Sequence, residues 1–315
     1  MAVGEQAIPH GAVCGTLLGR KAMSSWPNLA ELIAAPDETT AVGLVGVPLG
    51  AGSVTPGGCD RAPELLRATL KRIATYDVET GREIATRIAD HGDLEISGMS
   101  IEDASTPIRN AIAASALQRP LTLVAGGNNA VTRPAVHALG LPLERVGLVT
   151  LDAHFDMREL GPGLSNGNPV RALLGDGLPG RNIAQLGLAP FANSRAMHED
   201  ALAAGNLVVT IGEIGSGGIA RAVERALGWL GHVEAIVVDC DIDVIDRGQL
   251  PGAPGARPGG MAVHDFFAAV RQLAAEPRVR IVDLVEWDPM LDPSDLSALT
   301  AARWLAECLA GFETR

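Results

Sequence analysis

The sequence predicts an α/β protein in which a parallel sheet is covered by helices on both faces. Three observations carry that expectation. Strand-like and helix-like segments alternate along nearly the whole chain, the pattern of successive βαβ units. The strand segments are short apolar runs such as Ala41–Pro48 and Arg145–Asp152, as strands buried on both faces require. Polar clusters then follow several of these runs directly, where open parallel sheets place their ligand sites.

Bulk properties agree and narrow the function. A chain of 315 residues suits one large α/β domain or two modest ones, and no composition break or internal repeat marks a linker. One domain over 41–315 is expected, behind an irregular lead-in over 1–40 with a short helix near Asn28–Ala34. Hydrophobic residues at 47% and charged residues at 20% describe a globular core rather than a disordered chain. The net charge of −12 argues against nucleic acid and anionic membranes as partners, and 3% aromatics argue against base-stacking surfaces. A small anionic substrate remains compatible if arginines line its pocket. Cys14, Cys59, Cys240 and Cys308 form no CxxC pair and read as free thiols in a reducing compartment. No run reaches membrane-span length and no basic-then-apolar leader opens the chain, so a cytoplasmic location is expected.

Taken in order, Ala41–Pro48 is a buried strand that enters a loop rich in glycine and proline, Leu49–Arg61. Pro63 suits a first helical turn, and Leu65, Leu66 and Leu70 continue a stripe to about Ile73. Short strand pieces follow between Tyr76 and Leu94, broken at Gly81 and at His91-Gly92. A helix is expected over Thr106–Leu117, a strand over Leu121–Ala125, and a helix from about Thr132 with Pro134 in its first turn. Further strands are expected at Ile183–Leu186, Leu207–Ile211, Ala235–Val238 and Arg280–Val285. Helical patterns recur at Ser194–Ala204, Ile219–Leu230, Val263–Ala275 and Asp295–Leu309.

The chemistry concentrates at two strand ends. Asp152, His154 and Asp156 stand at alternate positions after an apolar run, so strand geometry would project them to one side. Asp239, Asp241 and Asp243 repeat the pattern. One such segment could simply be a turn or helix cap. Two of them converging would repel unless a cation neutralised them, and oxygen ligands with one imidazole suit Mn²⁺. Asn128-Asn129 and Glu286 end two further strands.

Five segments together resemble the ureohydrolases, the family of arginases, agmatinases and formimidoylglutamases. They are Gly126–Asn129, Asp152–Asp156, Asp239–Asp246, Ala253-Pro-Gly255 and Asp283–Glu286. The resemblance implies a three-layer α/β/α fold around a central, mostly parallel sheet, two Mn²⁺ ions and a homo-oligomer (trimer or hexamer). It implies that Asp152 and Asp241 bridge the metals, that His154 and Asp243 complete one site, and that Asp156 serves the other. Asp156 would also move a proton, and Glu286 would hold the substrate's amidine or guanidine.

Two positions depart from the family pattern. Asn129 stands where a histidine ligand is usual, and an amide oxygen is a weaker donor to Mn²⁺ than imidazole. It reads either as a ligand of a weak second site or as a turn residue at positive φ. Asp239 replaces a small hydroxyl residue and has no assigned role. Between the motifs, Arg158 directly follows the metal segment, as in formimidoylglutamases. Arg158, Asn166 and Asn168 then suit a dicarboxylate, since guanidinium forks match carboxylates. Arg171 balances acidic surface, and Arg257 is either a further carboxylate contact or a loop residue. The resemblance therefore implies manganese-dependent hydrolysis of N-formimidoyl-L-glutamate to glutamate and formamide. A guanidino substrate (agmatine, guanidinobutyrate or arginine) and a non-catalytic relative are the alternatives.

Overall fold

The computed structural model describes residues 26–315. The expected lead-in therefore lies outside the described residues up to position 25, as do Cys14 and His10. The elements run β1 (Ile33–Ala34), β2 (Val42–Val47), α1 (Ala62–Thr69), β3 (Tyr76–Asp77), β4 (Arg82–Glu83), β5 (Ile88–Asp93), α2 (Ile101–Gln118) and β6 (Leu121–Gly126). Then come α3 (Thr132–Ala138), β7 (Val146–Leu151), α4 (Pro169–Asp176), β8 (Ile183–Leu188), α5 (Arg195–Ala204), β9 (Leu207–Thr210), α6 (Ile211–Gly217) and α7 (Ile219–Trp229). Last are β10 (Ala235–Asp241), α8 (Val263–Ala275), β11 (Val279–Val285) and α9 (Leu296–Phe312).

Nine strands form one parallel sheet in the order β1-β5-β2-β6-β11-β10-β7-β8-β9, and β3 and β4 pair separately as a hairpin. Alternate residues of each strand feed two apolar layers. Leu44, Leu123, Val149 and Val238 pack with α1 and α6 to α9 on one face. Val45, Val124, Leu148 and Val237 pack with α2 to α5 on the other. Both faces being buried explains the unbroken apolar runs. The three-layer α/β/α fold expected from the sequence is present.

Several boundaries differ for identifiable reasons. The helix expected near Asn28–Ala34 is one 3₁₀ turn, Leu29–Leu32, followed by β1 at the sheet edge. Helix α2 starts five residues before the expected Thr106, because the Ser100 hydroxyl caps the Asp103 N–H at 3.1 Å. No break occurs at His91-Gly92: β5 continues through it across a register shift, with Gly92 supplying φ of 76°. Helix α6 was not expected in so glycine-rich a segment. Thr210 and Glu213 form a capping box that starts it and also ends β9 before Ile211. Strand β10 extends to Asp241, beyond the expected Val238.

Among the described residues no helix is long and apolar enough to cross a membrane. Cys59, Cys240 and Cys308 are unpaired and buried.

Candidate metal centre

Four neighbouring strands, β6, β11, β10 and β7, bring the site residues to one edge of the sheet. Leu151 lies beside Cys240 and Asp241 beside Val285, so Asp152, Asp241 and Glu286 follow at one level. The Glu286 N–H then donates to the Gly127 carbonyl at 2.9 Å, tying in the segment after β6.

Strand alternation is not what groups Asp152, His154 and Asp156, because β7 ends at Leu151. Turns do the work. Asp152 Oδ1 accepts the His154 N–H at 2.6 Å, and Asp241 Oδ1 accepts the Asp243 N–H at 2.9 Å. The same Asx turn thus closes two adjacent strands and leaves each aspartate a second oxygen. Two site residues also carry left-handed backbones, Asp156 with φ of 52° and Glu286 with φ of 63°. Such conformations cost about 1–3 kcal/mol each in a residue with a side chain, and they cluster where function over-determines geometry.

Two groups of ligand atoms result, each with its atoms within 4.8 Å of one another: Asp152, His154 and Asp243, and Asp152, Asp156 and Asp241. Asp152 is common to both. Asp241, expected to bridge as well, belongs to the second group alone. His154 Nδ1 stands 3.0 Å from Asp243 Oδ2 and 3.4 Å from Asp152 Oδ1. Exposure of the four carboxylates is only 1%, 8%, 3% and 4% for Asp152, Asp156, Asp241 and Asp243.

Burial among like charges sets the ionisation of Asp152, Asp156 and Asp241. It pushes Asp152 up to about 6, and Asp156 and Asp241 well above the usual carboxylate range. Burial alone would depress His154, but Asp243 and Asp152 outweigh it and raise the imidazole to about 11. The cluster without a cation therefore retains protons that a cation would displace. The donor set fits a hard divalent ion, and Asp243 Oδ1 is buried with no hydrogen-bond partner among the described residues. Gly255 closes in from the 253–255 segment, where a Cβ would stand 1.8 Å from Asp243 Oδ2 and 3.0 Å from His154 Cε1. Only glycine permits that approach.

Asn129 opens a 3₁₀ turn capped by Asn128, and its backbone is not left-handed, so the positive-φ turn reading is wrong. Its N–H donates to Glu286 Oε1 at 2.7 Å. Its amide Nδ2 donates to Asp156 Oδ2 and lies 3.5 Å from Asp241 Oδ2, while Oδ1 accepts from Thr132 Oγ1 at 2.6 Å.

Arg158, Asn166 and Arg257 border a cleft of about 110 Å³ above these groups, together with Val54 and Thr55. Asn166 Nδ2 donates to Glu286 Oε1 at 2.9 Å, and its Oδ1 accepts the Val54 N–H at 2.8 Å. The Arg158 side chain lies across Gly167. Arg257 spends Nη1 on the carbonyls of its own loop, Gly255 among them at 2.8 Å.

Asn168, expected among the substrate donors, is not at the mouth. It is buried, takes the Ser165 N–H at 2.9 Å, and donates to the Gly163 carbonyl at 3.0 Å, so its polar atoms hold its own loop. Arg171 likewise braces the fold, reaching Met157 O at 2.9 Å and Asp200 at 2.7 Å. Asp239 sits beside Asp283 in the β10–β11 register, deeper than the cluster. Burial raises both, Asp283 to about 7, and neither Asp239 oxygen has a hydrogen-bond partner among the described residues.

Sequence reasoning missed Val54, Thr55 and Thr132. The first two follow the carboxyl end of β2, a signal available from the sheet rule. Thr132 carried only its spacing of three from Asn129. A roomier cavity of about 570 Å³ lies between the β3–β4 hairpin and helices α8 and α9, away from this chemistry. Its Arg271 is already paired with Asp77 and Glu307.

Residues 40–311 match the model of the arginase family. The chain belongs to the arginase family. Within that family it is 29% identical over 294 residues to formimidoylglutamase of Bacillus subtilis, covering 91% of this chain and 92% of that protein. The crystal structure of the Bacillus subtilis formimidoylglutamase superposes with a TM-score of 0.85, covering 93% of this chain and 96% of that one. Formimidoylglutamase of Halobacterium salinarum is 31% identical over 275 residues, covering 86% of this chain and 87% of that protein. Trypanosoma cruzi formiminoglutamase solved with Mn²⁺ shares the arginase-family fold, with a TM-score of 0.84 at 22% identity, covering 92% of this chain and 99% of that one.

Proposed function

We propose that this arginase-family hydrolase cleaves the C–N bond of N-formimidoyl-L-glutamate, releasing glutamate and formamide. One observation carries the reading beyond the family: a carboxylate floor and two arginines, Arg158 and Arg257, share one cleft. The floor suits a cation and an amidinium, and the rim suits the two carboxylates of a glutamyl group. Formimidoylglutamase relatives at about this chain's full length support the same substrate.

Asp152, His154 and Asp243 would hold one Mn²⁺, and Asp152, Asp156 and Asp241 with Asn129 a second, weaker one. Mn²⁺ seen with the Trypanosoma cruzi relative supports the choice of ion. When bound, the ion acidifies a coordinated water so that a nucleophile is available at neutral pH. Glu286 Oε1 is occupied by the Asn129 N–H and the Asn166 amide, which leaves Oε2 to take an N–H of the amidine. Asp156, buried and fixed in a left-handed backbone, takes a proton from the attacking water and hands it to the departing amine as the C–N bond breaks. Arg158 and Arg257 orient the glutamate carboxylates and would disfavour a cationic tail such as that of agmatine. The proposal extends to a cytoplasmic homo-oligomer, trimer or hexamer, readable by light scattering.

The test is turnover of the Mn²⁺-loaded protein on N-formimidoyl-L-glutamate, agmatine, guanidinobutyrate and arginine, with formamide and urea measured separately. Formamide from the first substrate is expected. Urea from a guanidino compound, at a higher kcat/KM, would transfer the assignment to that substrate.

A further inference from the structure

The oxygen end of the Asn129 amide rests on one hydroxyl. Thr132 Oγ1 donates to Asn129 Oδ1 at 2.6 Å and lies 3.4 Å from Asp283 Oδ2. Both Asn129 and Thr132 are fully buried. In this arrangement the NH₂ end of the amide faces Asp156 and Asp241, donating to one oxygen of the first and lying 3.5 Å from one of the second. A cation among Asp152, Asp156 and Asp241 would meet those amide hydrogens. For Asn129 to act as a ligand, its oxygen must turn inward.

A planar amide exchanges its two ends by a half-turn about its last side-chain bond. The backbone can stay still, because the Asn129 N–H is anchored on Glu286 Oε1 at 2.7 Å. After the half-turn the NH₂ end meets Thr132. A hydroxyl is both donor and acceptor, so Thr132 can then accept from Nδ2 and donate its O–H as a hydrogen bond to Asp283. The two states therefore differ at Thr132 by one hydrogen bond to a carboxyl group. Neither valine nor alanine could supply it.

We propose that Thr132 is the positioning residue of the second cation site, allowing the Asn129 amide to point its nitrogen inward in one state and its oxygen inward in the other. The inference rests on the proposed role of Asn129 as a ligand. It predicts that the site is gated by a side-chain turn rather than by movement of a loop.

The experiment counts Mn²⁺ per chain by equilibrium dialysis and follows the spin-coupled pair by electron paramagnetic resonance. Thr132→Val and Thr132→Ala should keep the first ion and weaken the second about tenfold, the worth of one hydrogen bond to a charged group. Thr132→Ser keeps the hydroxyl and should bind both ions as the parent does. With Asn129→His there is no amide to turn, and adding Thr132→Val should leave the second ion unchanged. Second-ion affinity equal to the parent's in both the valine and alanine variants, or its loss in the serine variant, would overturn the inference alone. A parent and an Asn129→His variant that both hold a single ion at saturating Mn²⁺ would instead overturn the reading of Asn129, and the inference with it.

Discussion

The two halves of the candidate metal centre share Asp152 and differ in the group that completes them. On one side His154 contacts Asp243 and Asp152 through an ionisable nitrogen. On the other, Asn129 offers Asp156 and Asp241 a neutral amide that cannot ionise. The first half stores a proton in place of a cation, so its metal affinity is coupled to pH. The second has raised carboxyls too, in Asp156 and Asp241, and adds an N–H in place of a cation, so its affinity should be coupled both to pH and to which way an amide faces. Similar carboxylates are thus completed by unlike groups, and we propose that the two sites are unequal for that reason.

The largest effect should come from the residue the halves share. Asp152→Asn is expected to weaken both ions about a hundredfold or more, since even partners behind a ligand are worth about 10–100-fold. Metal content after gel filtration reads this directly; a variant that retained either ion would separate the two halves. The His154 half should then respond to pH. Its imidazole is raised from 6.5 to about 11, so the stabilisation it gives the metal-free protein is fully present below pH 6.5 and is lost as pH rises toward 11. At pH 8 the first Mn²⁺ should release at least one proton, measured by calorimetry in buffers of different ionisation enthalpy. Proton uptake, or none, would show that His154 is neutral before the ion arrives.

Much of this was legible in the sequence because it depends on local signals. Unbroken apolar runs announced strands buried on both faces, and the clusters after them marked the active edge. Asp152, His154, Asp156, Asp241 and Asp243 could be found by residue type and spacing, although turns rather than strand alternation bring the first three together. What could not be read depends on side-chain direction. Asn168 looks as suitable for a carboxylate as Asn166, yet it turns into its own loop. The approach of Thr132 to Asp283 joins the first residue of α3 to β11, and no local spacing encodes it. The left-handed backbones of Asp156 and Glu286 were equally silent, since neither residue type advertises positive φ as glycine does.

The inequality of the two halves is tested most directly by titrating Mn²⁺ into the parent protein and into Asn129→His side by side. The account predicts two ions in each, with the second binding clearly more weakly than the first in the parent and about tenfold more tightly after the substitution. Equal affinities in the parent, or a second ion indifferent to histidine at position 129, would contradict it.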